Sequence, residues 1–205
     1  MLTKSTLIER DFDLLKQIDK EAILPQDLSD KLDRGVIITY SFSTIDDQIG
    51  HIFEPGAPMP TQRLKVLEKT IKEGFLSGVS LMPLIPFVSD TGDHLEKMFQ
   101  VFQRLKVNYI FPASITLSGE GEGSNKIMML SAIQKHYPEL LAKYQKWFAN
   151  SFQLPEYYRD AFYKKMEELC AQHGLKNRII WSEPATNLCR SHVSNITLPE
   201  FFNSL

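Results

Sequence analysis

Cysteine is scarce: Cys170 and Cys189 are the only two in 205 residues. That rules out a disulfide framework, and a reducing, cytoplasmic setting is the expectation. Long apolar runs are missing too. The longest, Val79 to Val88, is interrupted by Ser80, Pro83 and Pro86, so no membrane-spanning helix is expected. Met1-Leu2-Thr3-Lys4-Ser5-Thr6 has no signal-peptide pattern. Charge of one sign does not dominate, since the net charge is −2. No dense Lys/Arg stripe with interleaved aromatics supports nucleic-acid binding. HExxH, EF-hand and Walker patterns and a Ser-His-Asp order are all absent.

What is present is an ordinary globular composition, 43% hydrophobic and 23% charged. The length suits a domain with a sizeable core. Strand and helix patterns alternate. Leu2 to Ser5 reads as the end of a strand. Arg10-Asp11-Phe12 opens a helix with Phe12, Leu15, Ile18 and Ala22 on one face, stopped by Pro25. Val36 to Ser43 is a strand rich in β-branched and aromatic residues. A long loop from Thr44 to Pro60 leads to a helix with Thr61 as N-cap and Leu64, Leu67, Ile71 and Phe75 inward.

The next strand, Ser77 to Ile85, is apolar enough for burial on both faces, as in a parallel sheet. Asp93 with Glu96 reads as a capping box before Leu95, Met98, Phe99, Phe102 and Leu105. A strand over Asn108 to Thr116 follows. After the Ser118–Ser124 loop the pattern is almost wholly helical, with a short closing strand expected at Ile179–Trp181. Leu198, Phe201 and Phe202 are candidate anchors of the tail. The repeated βα alternation predicts an α/β fold with right-handed crossovers.

Several residues suit chemistry. Ser41 and Ser43 alternate to one face at a strand end and Thr44 follows, where an α/β fold presents polar groups to a ligand. The alternative is a strand fading into a loop. Lys4 could serve as a point charge for a carboxylate or phosphate, or be a solvated terminal lysine. Met82-Pro83 ends the buried strand as an adaptable apolar surface, or as plain core. Asp46, Asp47 and Glu54 read as solvated loop carboxylates rather than acid–base groups. The Gly119-Glu120-Gly121-Glu122-Gly123 loop does not fit a phosphate-binding motif, and its glutamates would repel phosphate. Cys170-Ala-Gln-His173 and Cys189-Arg-Ser-His192 are two C-x2-H pairs that could together hold zinc. A buried helix thiol, a tail thiol and two ordinary histidines are the favoured explanation, and no metal site is assigned.

Five blocks carry a resemblance: Thr3-Lys4-Ser5, Tyr40 to Thr44, Phe53-Glu54-Pro55-Gly56-Ala57-Pro58, Arg63-Leu64, and Gly78 to Pro86 with its Met-Pro-x-x-Pro. His136-Tyr137-Pro138-Glu139-Leu140 and the stretch from Leu169 to Ile179 add to it. Over about residues 1–180 the chain resembles the spore photoproduct lyase-like, or DNA repair photolyase-like, branch of the radical SAM enzymes. The resemblance implies a partial (βα) TIM-like barrel of about four parallel strands over 1–117. A helical extension over 118–181 would pack on it, with a tail over 182–205.

The resemblance further implies S-adenosylmethionine across the strand ends. Lys4 and Ser41 would meet its amino-acid part with Ser43 as a neighbour, Met82 and Pro83 would lie near its adenosine, and Tyr109 to Ala113 would flank its adenine. It also implies a [4Fe-4S] cluster held by CxxxCxxC, a motif this sequence does not contain. The cluster therefore belongs to a full-length parent. The chain is expected to be its C-terminal portion, beginning at the end of the third barrel strand and inactive alone. A sheet edge would then be left for the missing N-terminal half or a second copy. The alternatives are a cluster-free nucleotide- or SAM-binding module, a protein-interaction module, or a zinc module on the C-x2-H pairs.

Overall fold

The structure, a computed structural model, describes residues 1–179. It is a mixed α/β fold around one four-stranded sheet. The strands are β1 (Leu2–Thr3), β2 (Ile37–Phe42), β3 (Leu76–Leu84) and β4 (Ile110–Ser114), all parallel and in the order β1-β2-β3-β4. Right-handed crossovers that always step the same way place their helices on one face. The packing agrees. Helices α1 (Phe12–Glu21), α4 (Pro60–Lys72), α5 (Gly92–Leu105) and α8 (Glu156–Gln172) share one core with Ile38, Tyr40, Phe42, Val79, Leu81 and Ile110.

The register defines the other face. Thr39 pairs with Gly78, and Ser41 with Ser80, which pairs with Phe111. Beneath that row the Tyr109 ring lies over Gly78, where an added Cβ would stand 2.3 Å from it. The Tyr109 hydroxyl hydrogen-bonds Thr39 Oγ1 at 2.5 Å. One face of the sheet is thus aliphatic and aromatic under helices, while the other is built from hydroxyls and glycine over an aromatic floor.

The strand edges differ. At β4, Ile110 N donates to Lys176 O at 2.7 Å. Pro112 lies on the same outward side, where its missing N–H costs no ladder bond. The outer edge of β1 has no paired strand among the described residues.

A second apolar cluster sits on the loops that leave β3 and β4. It joins Ile85, Val88, Ile115 and Leu117 to helix α6 (Asn125–His136), helix α7 (Leu141–Trp147) and the start of α8. Helix α8 spans both clusters: Tyr158 belongs to this one, whereas Phe162, Met166, Leu169 and Cys170 belong to the main core. No described helix is long and apolar enough to cross a membrane.

Four local expectations need correction. A 3-10 turn, Thr6–Asp11, precedes α1, its Ile8 takes an inward position with Leu15, and a short helix α2 (Gln26–Ser29) follows α1. Ile18 is 49% exposed and Ala22 is extended and exposed, so the inward seam is narrower than the periodicity implied. The Thr44–Pro60 stretch contains helix α3 (Asp47–Phe53), which Asp46 caps by accepting from the amides of Gln48 and Ile49. Met59, not Thr61, is the N-cap of α4, and its amide donates to Gln62 Oε1. Thr61 instead donates its amide and hydroxyl to Asp47. The Asp93–Glu96 capping box does not form: Thr91 is the N-cap, and Glu96 faces Gln100 and His173. As expected, Met82 and Pro83 lie at the C-terminal end of β3, at the register irregularity between Leu81 and Leu84. Trp181, Leu198, Phe201, Phe202 and the 182–205 tail lie outside the described residues.

Candidate functional site

The C-terminal ends of β1 and β2 converge on one buried carboxylate. Glu54 follows directly on α3 and is 8% exposed. One oxygen, Oε2, meets the Arg63 guanidinium, which is fully buried. The other, Oε1, stands 2.9 Å from Lys4 Nζ. Burial by itself would raise the Glu54 pKa, but Arg63 and then Lys4 outweigh it and hold the carboxyl below its ordinary value. Glu54 is therefore not a solvated loop carboxylate, and Lys4 is not a solvated terminal lysine.

Arg63 reaches its place from the first turn of α4. Its Nη1 donates to the Ser41 carbonyl at 2.6 Å, and the guanidinium lies 5.0 Å from the Phe42 ring centroid. A planar, permanently charged fork suits this dual duty. Lys4, Glu54 and Arg63 together carry one net positive charge. Of the three, Lys4 alone reaches solvent appreciably, with 38% of its side chain exposed.

Around them lie the expected serines. Ser41 Oγ donates to Met82 O at 3.3 Å, which ties the ends of β2 and β3 together. Ser43 is 1% exposed and Ser80 is 3% exposed. Neither hydroxyl has a hydrogen-bond partner among the described residues. Ser80 shares the row of Ser41 and Phe111, and Ser43 continues the Thr39–Ser41 alternation past the end of β2. Buried hydroxyls without partners are uncommon in native structures. Met82 is partly exposed above this row, and Pro83 is half-buried beside it. The structure thus brings Ser41 and Met82 into contact and places Lys4 and Ser43 at the same strand ends.

The remaining candidates have local duties. Thr44 is fully buried; its Oγ1 accepts from the Asp46 amide and pairs with His94 Nε2 at 2.8 Å. Burial lowers the His94 pKa against the pull of Asp46, with Lys97 adding to the lowering. Cys170 is buried, and burial, with Glu167, pushes its thiol up to about 11. His173 is engaged by Glu96 at 3.1 Å and Gln103 at 3.3 Å. Cys189 and His192 lie outside the described residues. Among the described residues no group of three or more His, Cys, Asp or Glu side chains could hold a metal ion.

Comparison with known proteins adds distant relatives. An uncharacterized protein of Mycobacterium tuberculosis and one of Mycobacterium bovis are each 22% identical to this chain over 175 residues, 85% of this chain and 47% of theirs. An uncharacterized protein of Acidianus two-tailed virus is 29% identical over 112 residues, 53% of this chain and 33% of its own. The chain spans about half the length of the mycobacterial relatives. No protein-family profile matches it, and no solved structure does.

Residue patterns alone did not single out Glu54, Arg63, Ser80 or His94 as site residues. A signal for Arg63 existed. Arg63, Leu67 and Thr70 recur at helical spacing along the buried seam of α4. A charged residue on an apolar seam demands a buried counter-charge. Glu54, nine residues earlier in an otherwise apolar Pro/Gly block, was the carboxylate at hand.

Proposed function

We propose that this chain is part of a SAM-binding radical enzyme of the photolyase-like branch, forming a segment of its (βα) barrel and part of its SAM and substrate site. The observation that carries the reading is the set of groups at the strand ends. Lys4 is a reachable cation, and Ser43 and Ser80 are buried hydroxyls without described partners, on the polar face of an all-parallel sheet. A zwitterionic amino acid joined to a nucleoside would use all three. Lys4 would take its carboxylate, the hydroxyls its amine or ribose, and Met82 with Phe111 its base.

The monotonic strand order supports a barrel segment rather than a doubly wound sheet, in which the order reverses and helices cover both faces. The donor set does not suit a [4Fe-4S] cluster. With two cysteines in the sequence, and Cys170 packed in the core, this chain cannot supply three thiolates on one loop. The cluster and the reductive step would therefore come from another part of the parent enzyme.

The test is isothermal calorimetry of the purified chain with S-adenosylmethionine. Saturable binding that is lost in Lys4→Met supports the reading. Absence of binding at millimolar SAM would overturn it.

One observation favours the second reading, a protein-interaction module. Leu2, Leu7, Leu14 and Ile18, on β1, the turn after it and α1, are all exposed large hydrophobics, and the outer edge of β1 has no partner strand among the described residues. An open parallel edge together with exposed apolar side chains is suited to another strand–helix unit, from the N-terminal half of a parent or from a second copy. Sedimentation analysis over a range of concentrations separates self-association from the monomer. A monomer throughout would leave a separate chain as the partner.

A further inference from the structure

The Lys4–Glu54–Arg63 trio is more elaborate than a cation needs to be. A lysine at a strand end would reach a ligand without any buried support. Here its ammonium stands 2.9 Å from a carboxylate that is itself buried and fixed by a fully buried arginine. That arginine is anchored in turn on the Ser41 carbonyl at 2.6 Å and stacked on Phe42. A continuous chain of contacts therefore runs from the rigid end of β2, through α4 and the end of α3, to Lys4, the exposed cation of the trio.

We infer that Glu54 is a positioning residue, acting through Lys4, and that Arg63 holds Glu54 for this task. The inference rests on the SAM-site reading only for the identity of the ligand. Its content is that Lys4 Nζ is kept at one point beside Glu54 at the strand ends so that a ligand carboxylate finds it pre-placed. Lysine stems have considerable rotamer freedom, and holding one before binding removes that cost from the binding step. An ammonium has three donors. The ion pair with Glu54 leaves donors for a ligand carboxylate. The single net charge of the trio gives the incoming anion an unneutralised partner, while Glu54 keeps the two cations from repelling each other in a low-dielectric site.

A purely structural role for Glu54 makes a different forecast. It would fix the end of α3 against α4 and be indifferent to what Lys4 does. Two readouts separate the roles. The first needs no ligand: lysine amines are reductively methylated with carbon-13, the Lys4 signal is assigned by its loss in Lys4→Met, and its relaxation is compared between wild type, Glu54→Gln and Glu54→Asp. The aspartate keeps a negative charge beside Arg63 but draws the carboxylate back from Lys4. It serves as the folded variant if the glutamine fails to fold.

Lys4 is expected to be motionally restricted in wild type and released in the variants. A Lys4 equally mobile in wild type, or equally restricted in a folded variant, overturns the inference. The second readout compares the affinity of SAM with that of decarboxylated S-adenosylmethionine. Loss of Glu54 is expected to weaken SAM about tenfold, the size of one charge-assisted hydrogen bond, and to leave the decarboxylated compound within about twofold. Equal weakening of both would make Glu54 mere scaffold and overturn the inference. If wild type binds neither compound, the SAM reading fails, and the relaxation measurement alone decides whether Glu54 positions Lys4.

Discussion

Arg63 joins Glu54 to Ser41: one terminal nitrogen meets the carboxylate, and the other donates to the backbone carbonyl at the end of β2. Both side chains are out of water. Such a pair contributes little beyond what apolar packing would, but losing one partner strands the other charge. Arg63→Met is therefore expected to cost about 3–5 kcal/mol in urea unfolding. The double variant Arg63→Met/Glu54→Leu should recover much of that loss. A single-variant cost below about 1 kcal/mol would show that Lys4, or water, compensates Glu54 without Arg63. The pH sign follows from the lowered Glu54 pKa. Its stabilisation is present above the ordinary carboxylate value and is lost as the pH falls through the folded one.

The floor of the polar face depends on Gly78 having no side chain. A Cβ there would meet three atoms of the Tyr109 ring within 2.5 Å, and that ring is held by Thr39. Gly78→Ala is expected to cost about 1–3 kcal/mol by overpacking. Combining it with Tyr109→Leu should relieve the clash, giving a favourable coupling of about 0.5–3 kcal/mol in a double-mutant cycle. Additive losses would mean that the ring moves aside freely.

How far the sequence could be read depended on which force placed each residue. Periodicity found β2, β3, β4 and the inward rows of α5 and α8, because apolar burial with fixed period places those residues, but in α4 it caught Leu67 and missed Val66, and its Phe75 lies past the helix end. It failed where a single polar contact decides. Asp46 turns part of a loop into α3, and Gln62, not Thr61, completes the start of α4. At the site, alternation put Ser41 and Ser43 on one face, but nothing local revealed that Glu54 turns inward. That needs Arg63, which belongs to another helix, and Lys4, fifty residues away in sequence. Long-range ion pairs have no local pattern, so the pairing of Glu54 with Arg63 and Lys4 was illegible to motif reading, whereas Lys4 itself and the hydroxyls of Ser41 and Ser43 were not.

Helix α1 shows the same limit in apolar form. Ile18 fitted an inward stripe with Leu15 but is exposed, because the preceding 3-10 turn sets a different rotation. Ile18→Glu is expected to change unfolding free energy by no more than about 0.5 kcal/mol. Leu15→Ala should cost about 2–5 kcal/mol. Comparable losses at both positions would return Ile18 to the core.

Asp90 supplies the clearest acid-side signature. It is 3% exposed, on the loop between β3 and α5. Its Oδ2 accepts from the Tyr158 hydroxyl at 2.6 Å and its Oδ1 from the Phe87 amide at 2.7 Å. Burial raises its pKa from 3.8 to about 6, against those hydrogen bonds, which lower it. The folded state therefore holds the proton more tightly than the unfolded chain. The resulting stability is fully present below the unfolded value and is lost as the pH rises through about 6. A displacement of that size corresponds to at most roughly 3 kcal/mol. The melting temperature of wild type is expected to gain an Asp90 contribution as the pH is lowered from about 7 to 5, partly opposed by Glu54 further into acid. Asp90→Asn cannot titrate, so it should remove that contribution whatever its own melting temperature, since the slope with pH is what is compared. A slope unchanged by the substitution would mean that Asp90 stays ionised throughout, with its desolvation relieved by water reaching the loop.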